Sequence, residues 1–141
     1  MKPLTCEWVE KAEGDWHTAQ RELRARTLAN PDAVCFHAQQ SVEKYLKGLL
    51  QEREIVFPRT HALDLLAGLL LPGEPSWEEL RPGLRKLSEG ALALRYPGSS
   101  ANLTLAREAV AICREVRRRA RLGLGLRARR RTCPRRKRTN K

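Results

Sequence analysis

The 141-residue chain is poor in the residues that build strands and membrane spans. Valine and isoleucine number only 6 and 2, against 22 leucines and 16 alanines. That imbalance favours helix over sheet, and no convincing alternating segment is present. No run reaches eighteen apolar residues, which excludes a transmembrane helix on the hydropathy pattern. The opening Met1-Lys2-Pro3-Leu4-Thr5-Cys6-Glu7 lacks the apolar stretch of a secretory signal. Cys6, Cys35, Cys113 and Cys133 lie far apart, with no Cys-x-x-Cys pair for zinc or redox chemistry. The expectation is a cytoplasmic protein with reduced thiols, in which Cys35 and Cys113 are small core residues.

Acids are missing from one stretch altogether. From Arg117 to Lys141 there are 11 Arg, 2 Lys and no Asp or Glu, so this stretch carries +13. The formal net charge of the whole chain is +12, which leaves residues 1–116 at −1. The basicity therefore belongs to the end of the chain. The pattern predicts one helical domain over 1–118 and a basic, disordered tail over 119–141. The runs Arg127-Ala128-Arg129-Arg130-Arg131 and Arg135-Arg136-Lys137-Arg138 suit nucleic-acid binding by counterion release or a nuclear localisation address. The same tail has no aromatic residue on which a base could stack.

What is abundant is helical periodicity. Trp8, Val9, Ala12, Trp16, Ala19 and Leu23 form one stripe of a first helix over Cys6–Thr27, with Thr5 as its cap. Asn30-Pro31-Asp32 breaks the chain, and Asp32 is placed to cap a second helix over Ala33–Glu54. There Val34, Ala38, Val42, Tyr45, Leu46 and Leu49 make the apolar stripe, and His37, Gln40, Lys44 and Lys47 gather opposite it as a polar face.

A short helix from a Thr60 cap to Leu71 follows, and Pro72-Gly73-Glu74-Pro75 ends it. Ser76-Trp77-Glu78-Glu79 has the form of a capping box before a helix over Leu84–Leu94. Tyr96-Pro97-Gly98-Ser99-Ser100 breaks the chain again, and a last helix runs over Ala101–Arg121. The fold class is all-α, an up-and-down antiparallel bundle of four to five helices.

Templates for catalysis are mostly lacking. Gly123 and Gly125 have no strand-to-helix context for a phosphate loop, and no His-Glu-x-x-His or similar ligand cluster is present. Neither a metal nor another cofactor is expected, and no catalytic residue is assigned.

Three polar-aromatic motifs stand out. They are Cys35-Phe36-His37-Ala38-Gln39-Gln40-Ser41-Val42-Glu43-Lys44-Tyr45-Leu46-Lys47, then Phe57-Pro58-Arg59-Thr60-His61-Ala62-Leu63, then Leu94-Arg95-Tyr96-Pro97-Gly98. With the opening Ala12-Glu13-Gly14-Asp15-Trp16, they resemble the HEPN domain family, over roughly Trp8 to Arg118. The resemblance implies a four- to five-helix bundle that commonly forms a homodimer, with a polar cleft near the dimer interface. Some members are metal-independent ribonucleases with an Arg-x(4–6)-His motif on a late helix. Others partner a minimal nucleotidyltransferase or act as the toxin of such a pair, and some are nucleotide-binding or interaction modules.

This chain departs from the nuclease pattern. Arg53 and His61 have seven residues between them, Arg59 and His61 only one, and no histidine follows Arg95. Arg95 can hold a phosphate bidentately but cannot act as a base at neutral pH.

The candidate nucleotide- or nucleic-acid-binding residues are accordingly Arg95, Tyr96, Lys44, Lys47, His61, Arg59 and His37. Asp15 is the expected buried partner of one of these bases. The functional reading is a homodimeric domain that binds nucleotide or RNA, away from membranes. Its partner would be a minimal nucleotidyltransferase in a two-component, toxin–antitoxin-like system. The alternatives are an RNA endonuclease with a degenerate site, or a pure protein-interaction module.

Overall fold

A computed structural model describes residues 1–126. It contains α1 (Pro3–Leu23), α2 (Pro31–Glu52), α3 (Leu63–Leu70), a 3-10 segment (Pro75–Leu80), α4 (Arg81–Ala93) and α5 (Leu103–Gly123). No strand occurs among the described residues, and none of their helices is long and apolar enough to cross a membrane.

The arrangement is built around α2, which packs against all four other helices, most extensively α1 and α5. Of its 22 residues, Val34, Cys35, Ala38, Gln39, Ser41, Val42, Glu43, Tyr45, Leu46, Lys47, Gly48, Leu49 and Leu50 are buried. A helix with neighbours all round cannot keep a solvated polar face, so Gln39, Glu43 and Lys47 must find partners inside the protein. Gly48 lets α1 come close: a Cβ there would sit 3.3 Å from the Trp8 Cβ.

The caps differ from the sequence expectation. Thr5 is no cap; α1 begins at Pro3, two residues earlier, and Thr5 is buried within it. Asn30, not Asp32, caps α2 by accepting from the Ala33 N–H at 3.1 Å. Asp32 instead accepts from the Ala101 N–H at 2.6 Å and ties the start of α2 to the approach of α5. At Ser76 the expected capping box is replaced by 3-10 geometry following Glu74, with no side-chain cap. Ser88 on α4 accepts from the Leu63 N–H at 3.0 Å and closes the start of α3.

The expected boundary at 118 falls inside α5. This helix continues to Gly123, and Ala120, Arg121 and Leu126 are buried. Its C-terminus closes by a Schellman arrangement: Leu126 N–H donates to Arg121 C=O at 2.8 Å and Gly125 N–H to Leu122 C=O at 3.0 Å, with Gly125 at φ +71°. Arg117, Arg118, Arg119 and Arg121 are bound into the fold by Glu13, Glu115 and Glu79. They are therefore not part of a tail. The expected disorder over 127–141 lies outside the described residues.

Candidate nucleotide-binding site

The seven candidate residues fall into two groups along α2 and one outlier. His37 and Lys44 meet at Asp15 on α1. His37 Nδ1 lies 2.8 Å from Asp15 Oδ1, and Lys44 Nζ donates to Asp15 Oδ2. A carboxylate only accepts, so the His37 proton is on Nδ1, and Nε2 carries the lone pair in the neutral ring. Asp15 thus pairs with two of the candidate bases as expected, but from a half-buried position rather than a buried one. Arg95 joins this group indirectly. It lies in the turn after α4 with its guanidinium 6.0 Å from the Phe36 ring centroid, and Phe36 stands edge-on to His37 at 5.2 Å. Tyr96 is the outlier: it is exposed, and among the described residues no side-chain hydrogen bond or ring contact ties it to either group.

The second group forms a cleft of about 460 Å³ between the start of α1, the end of α2 and the 57–61 segment. Its walls are Trp8, Lys47, Phe57, Pro58, Arg59, Thr60 and His61. Three of the seven candidates, Lys47, Arg59 and His61, line it.

Glu43, which lies outside this lining, organises two of the residues that form it. It accepts from Lys47 Nζ at 2.7 Å, meets His61 Nδ1 at 3.0 Å and accepts from Gln39 Nε2 at 3.2 Å. The Gln39 amide also reaches the His61 carbonyl at 3.3 Å and fixes the loop backbone. Burial by itself pushes the Glu43 carboxyl up. The hydrogen bonds from Lys47, His61 and Gln39 outweigh it and hold the carboxyl below the usual glutamate range. Lys47 Nζ also lies 5.7 Å from the centre of the Trp8 ring, so its charge is held against an aromatic wall. Arg59 is different: it is exposed and has no ion-pair partner among the described residues.

Lys44 and Lys47 are one turn apart, yet each answers to its own carboxylate and they do not converge on a common point. His61 and Arg95 lie at opposite ends of the α2 face, against Glu43 and Phe36 respectively. They form no joint acid–base pair.

Sequence reasoning missed Glu43, Trp8 and Phe57. Trp8 belongs to the apolar stripe of α1, and Glu43 reads as a neighbour of lysine. The signal for Glu43 was its place in Gln39-x-x-x-Glu43-x-x-x-Lys47, a run of i,i+4 polar partners on one side of a helix.

A third polar cluster is structural. Glu13 binds Arg117 at 2.7 and 3.1 Å, approaches Arg121 at 3.4 Å and accepts from the Tyr45 hydroxyl. Burial opposes ionisation of Glu13, but Arg117 and Tyr45 prevail and its carboxyl is held low. Cys113 and Cys35 are poor nucleophiles: burial pushes Cys113 up to about 12 and also raises Cys35. Among the described residues no three His, Cys, Asp or Glu side chains gather as a metal site.

The comparisons bear on this arrangement. An archaeal HEPN homologue of known crystal structure superposes with a TM-score of 0.65 at 22% identity, covering 86% of this chain and 97% of that one. No curated protein sequence matches the chain. The model of the HEPN domain matches residues 5–122, from the first turns of α1 to the end of α5. That match supports a nucleotide- or nucleic-acid-related role, and with most of the length covered, the chain belongs to the HEPN domain family.

Proposed function

We propose that this domain binds a nucleotide in the cleft bounded by Trp8, Lys47, Phe57, Arg59 and His61. The observation that carries the reading is Arg59. It is a guanidinium without an ion-pair partner among the described residues, beside two aromatic side chains in a cleft of about 460 Å³. That volume lies within the ~300–1,000 Å³ range of small-ligand pockets.

A phosphate takes two N–H bonds from Arg59, beside a His61 ring whose orientation Glu43 fixes. A base finds the aromatic walls at Phe57 and Trp8. Lys47, neutralised by ionised Glu43, closes the cleft wall against Trp8 and leaves Arg59 as the cation for the phosphate.

Calorimetric titration of the full chain with AMP tests this reading. Saturable binding that weakens about tenfold in Arg59→Ala, the loss of a bidentate charged contact, supports it. Absence of saturable binding at low salt overturns it in favour of an interaction module. Cleavage of labelled RNA that disappears in His61→Ala would establish the endonuclease reading instead.

Two partner readings accompany this proposal. Family resemblance supports a minimal nucleotidyltransferase as the second component, and co-purification of the two proteins from co-expressing cells tests it. Homodimerisation is supported by an apolar groove between α4 and α5 lined by Leu87, Ala91, Leu94, Leu105 and Ile112. Lys86 and Glu108 at this groove pair with each other at 3.3 Å, so the apolar side chains are what a second copy related by a two-fold axis would cover. Light scattering should give a dimer mass that falls to monomer in Leu105→Glu. A monomer mass for the unaltered chain contradicts the dimer.

A further inference from the structure

The cleft occupies only one end of the α1–α2 face. At the other end Phe36 is 38% exposed, unusual for a phenylalanine in a helix otherwise buried on most sides, and Arg95 lies across its ring. Arg95 is itself exposed and has no ion-pair partner among the described residues. Between the two ends stands Lys11, exposed, without an ion-pair partner among the described residues, and one turn from each of Trp8 and Asp15 on the same side of α1. The acids set into this face, Asp15 and Glu43, are each engaged by one lysine and one histidine. Glu7, one turn before Lys11, is an exposed acid at its margin.

The face thus repeats one chemistry at both ends: an aromatic ring, an adjacent arginine with a free fork of donors, and a histidine oriented by a carboxylate. Phe36 and Lys47 are eleven residues apart on α2, which at 1.5 Å per residue is about 16 Å. A stacked strand advances about 3.4 Å per nucleotide, so this distance corresponds to roughly five nucleotides.

We infer that the α1–α2 face is a track for single-stranded nucleic acid. One base stacks at Phe36 and Arg95, Lys11 faces the backbone midway, and the far nucleotide enters the cleft at Arg59. This rests on the nucleotide reading of the cleft and extends it: the ligand is an oligomer of at least five units. Aromatic and guanidinium stations separated by backbone cations are how proteins hold single strands without reading sequence.

The test is fluorescence anisotropy of the full chain with labelled uridine oligomers of two, four, six and eight units, alongside AMP calorimetry. Affinity should climb with length up to about six units and then level. Arg95→Ala and Phe36→Leu, the latter keeping apolar volume but not the ring, should each weaken the eight-mer about fivefold or more. Arg95→Ala should also lower the salt slope by about one. Arg107→Ala, an exposed arginine on α5, should change nothing, and the basic residues after 126 are common to every variant and cancel. Affinity that is flat beyond two units, or an eight-mer indifferent to both Arg95→Ala and Phe36→Leu, overturns the track. Failure of the cleft reading is separate: AMP would not bind, while oligomer affinity still depended on Arg95 and on length.

Discussion

Glu13 and Glu43 carry more of this protein than their residue type indicates. Each is withdrawn from water, which favours the neutral acid, and each is nonetheless held ionised by donors from other elements. With folded values below the ordinary 4.5, the stability they contribute is fully present above that value. It is lost as pH falls through the folded values, because the unfolded chain then takes up protons more readily than the folded one. Urea midpoints should be level down to about pH 5 and fall below about pH 4.5. Glu13→Gln should cost about 2 kcal/mol at neutral pH, as expected for charged hydrogen bonds, and should make the acid limb shallower. An acid limb of unchanged steepness would remove Glu13 from this role.

Residue types such as Lys47, Arg59 and His61 were legible as candidates because cations and imidazoles on a helix face or loop are visible in sequence. Their organising acid was not, since Glu43 meets His61 18 positions away. Likewise Arg117 reads as the first charge of a basic stretch, whereas its partner Glu13 lies 104 positions earlier.

At the scale of elements, the leucine and alanine periodicity predicted the helices to within a few residues, because each must bury one stripe whatever its neighbours. Helix ends were less legible. Asn30 and Asp32 both suit a cap, and only the approach of Ala101 decides that Asp32 is taken elsewhere. Thr5 reads as a cap, but Pro3 at the helix start is equally permissive.

The C-termini of α2 and α5 share one closing geometry with different residues. Glu54 takes φ +57° where Gly125 takes +71°, and left-handed backbone costs a side-chain-bearing residue ~1 kcal/mol. Gly125→Ala should therefore lower stability by about 1 kcal/mol. Glu54→Gly should raise it by up to about 1 kcal/mol, less the small worth of the exposed Lys2 pair. Thermal unfolding of the two variants checks the opposite signs. Gly48→Leu is a different case: it wedges α1 from α2 at Trp8, should cost about 1–3 kcal/mol, and should weaken AMP binding by moving a wall of the cleft.

For the whole molecule, the net charge of +12 divides differently from the way sequence alone divides it. Arg117, Arg118, Arg119 and Arg121 are structural, so residues 1–126 carry +3 and residues 127–141 carry +9. A domain so nearly balanced does not attract a polyanion by its overall field. Anion recognition in the body must come from local cations left without carboxylate partners. On the α1–α2 face, among the described residues, these are Arg59, Lys11 and Arg95. The most direct test is calorimetric titration of the full chain with AMP, in parallel for Arg59→Ala and for the surface control Arg107→Ala. The account predicts saturable binding that Arg59→Ala weakens about tenfold and Arg107→Ala leaves intact. Equal weakening by both substitutions, or no saturable binding in the unaltered chain, would contradict it.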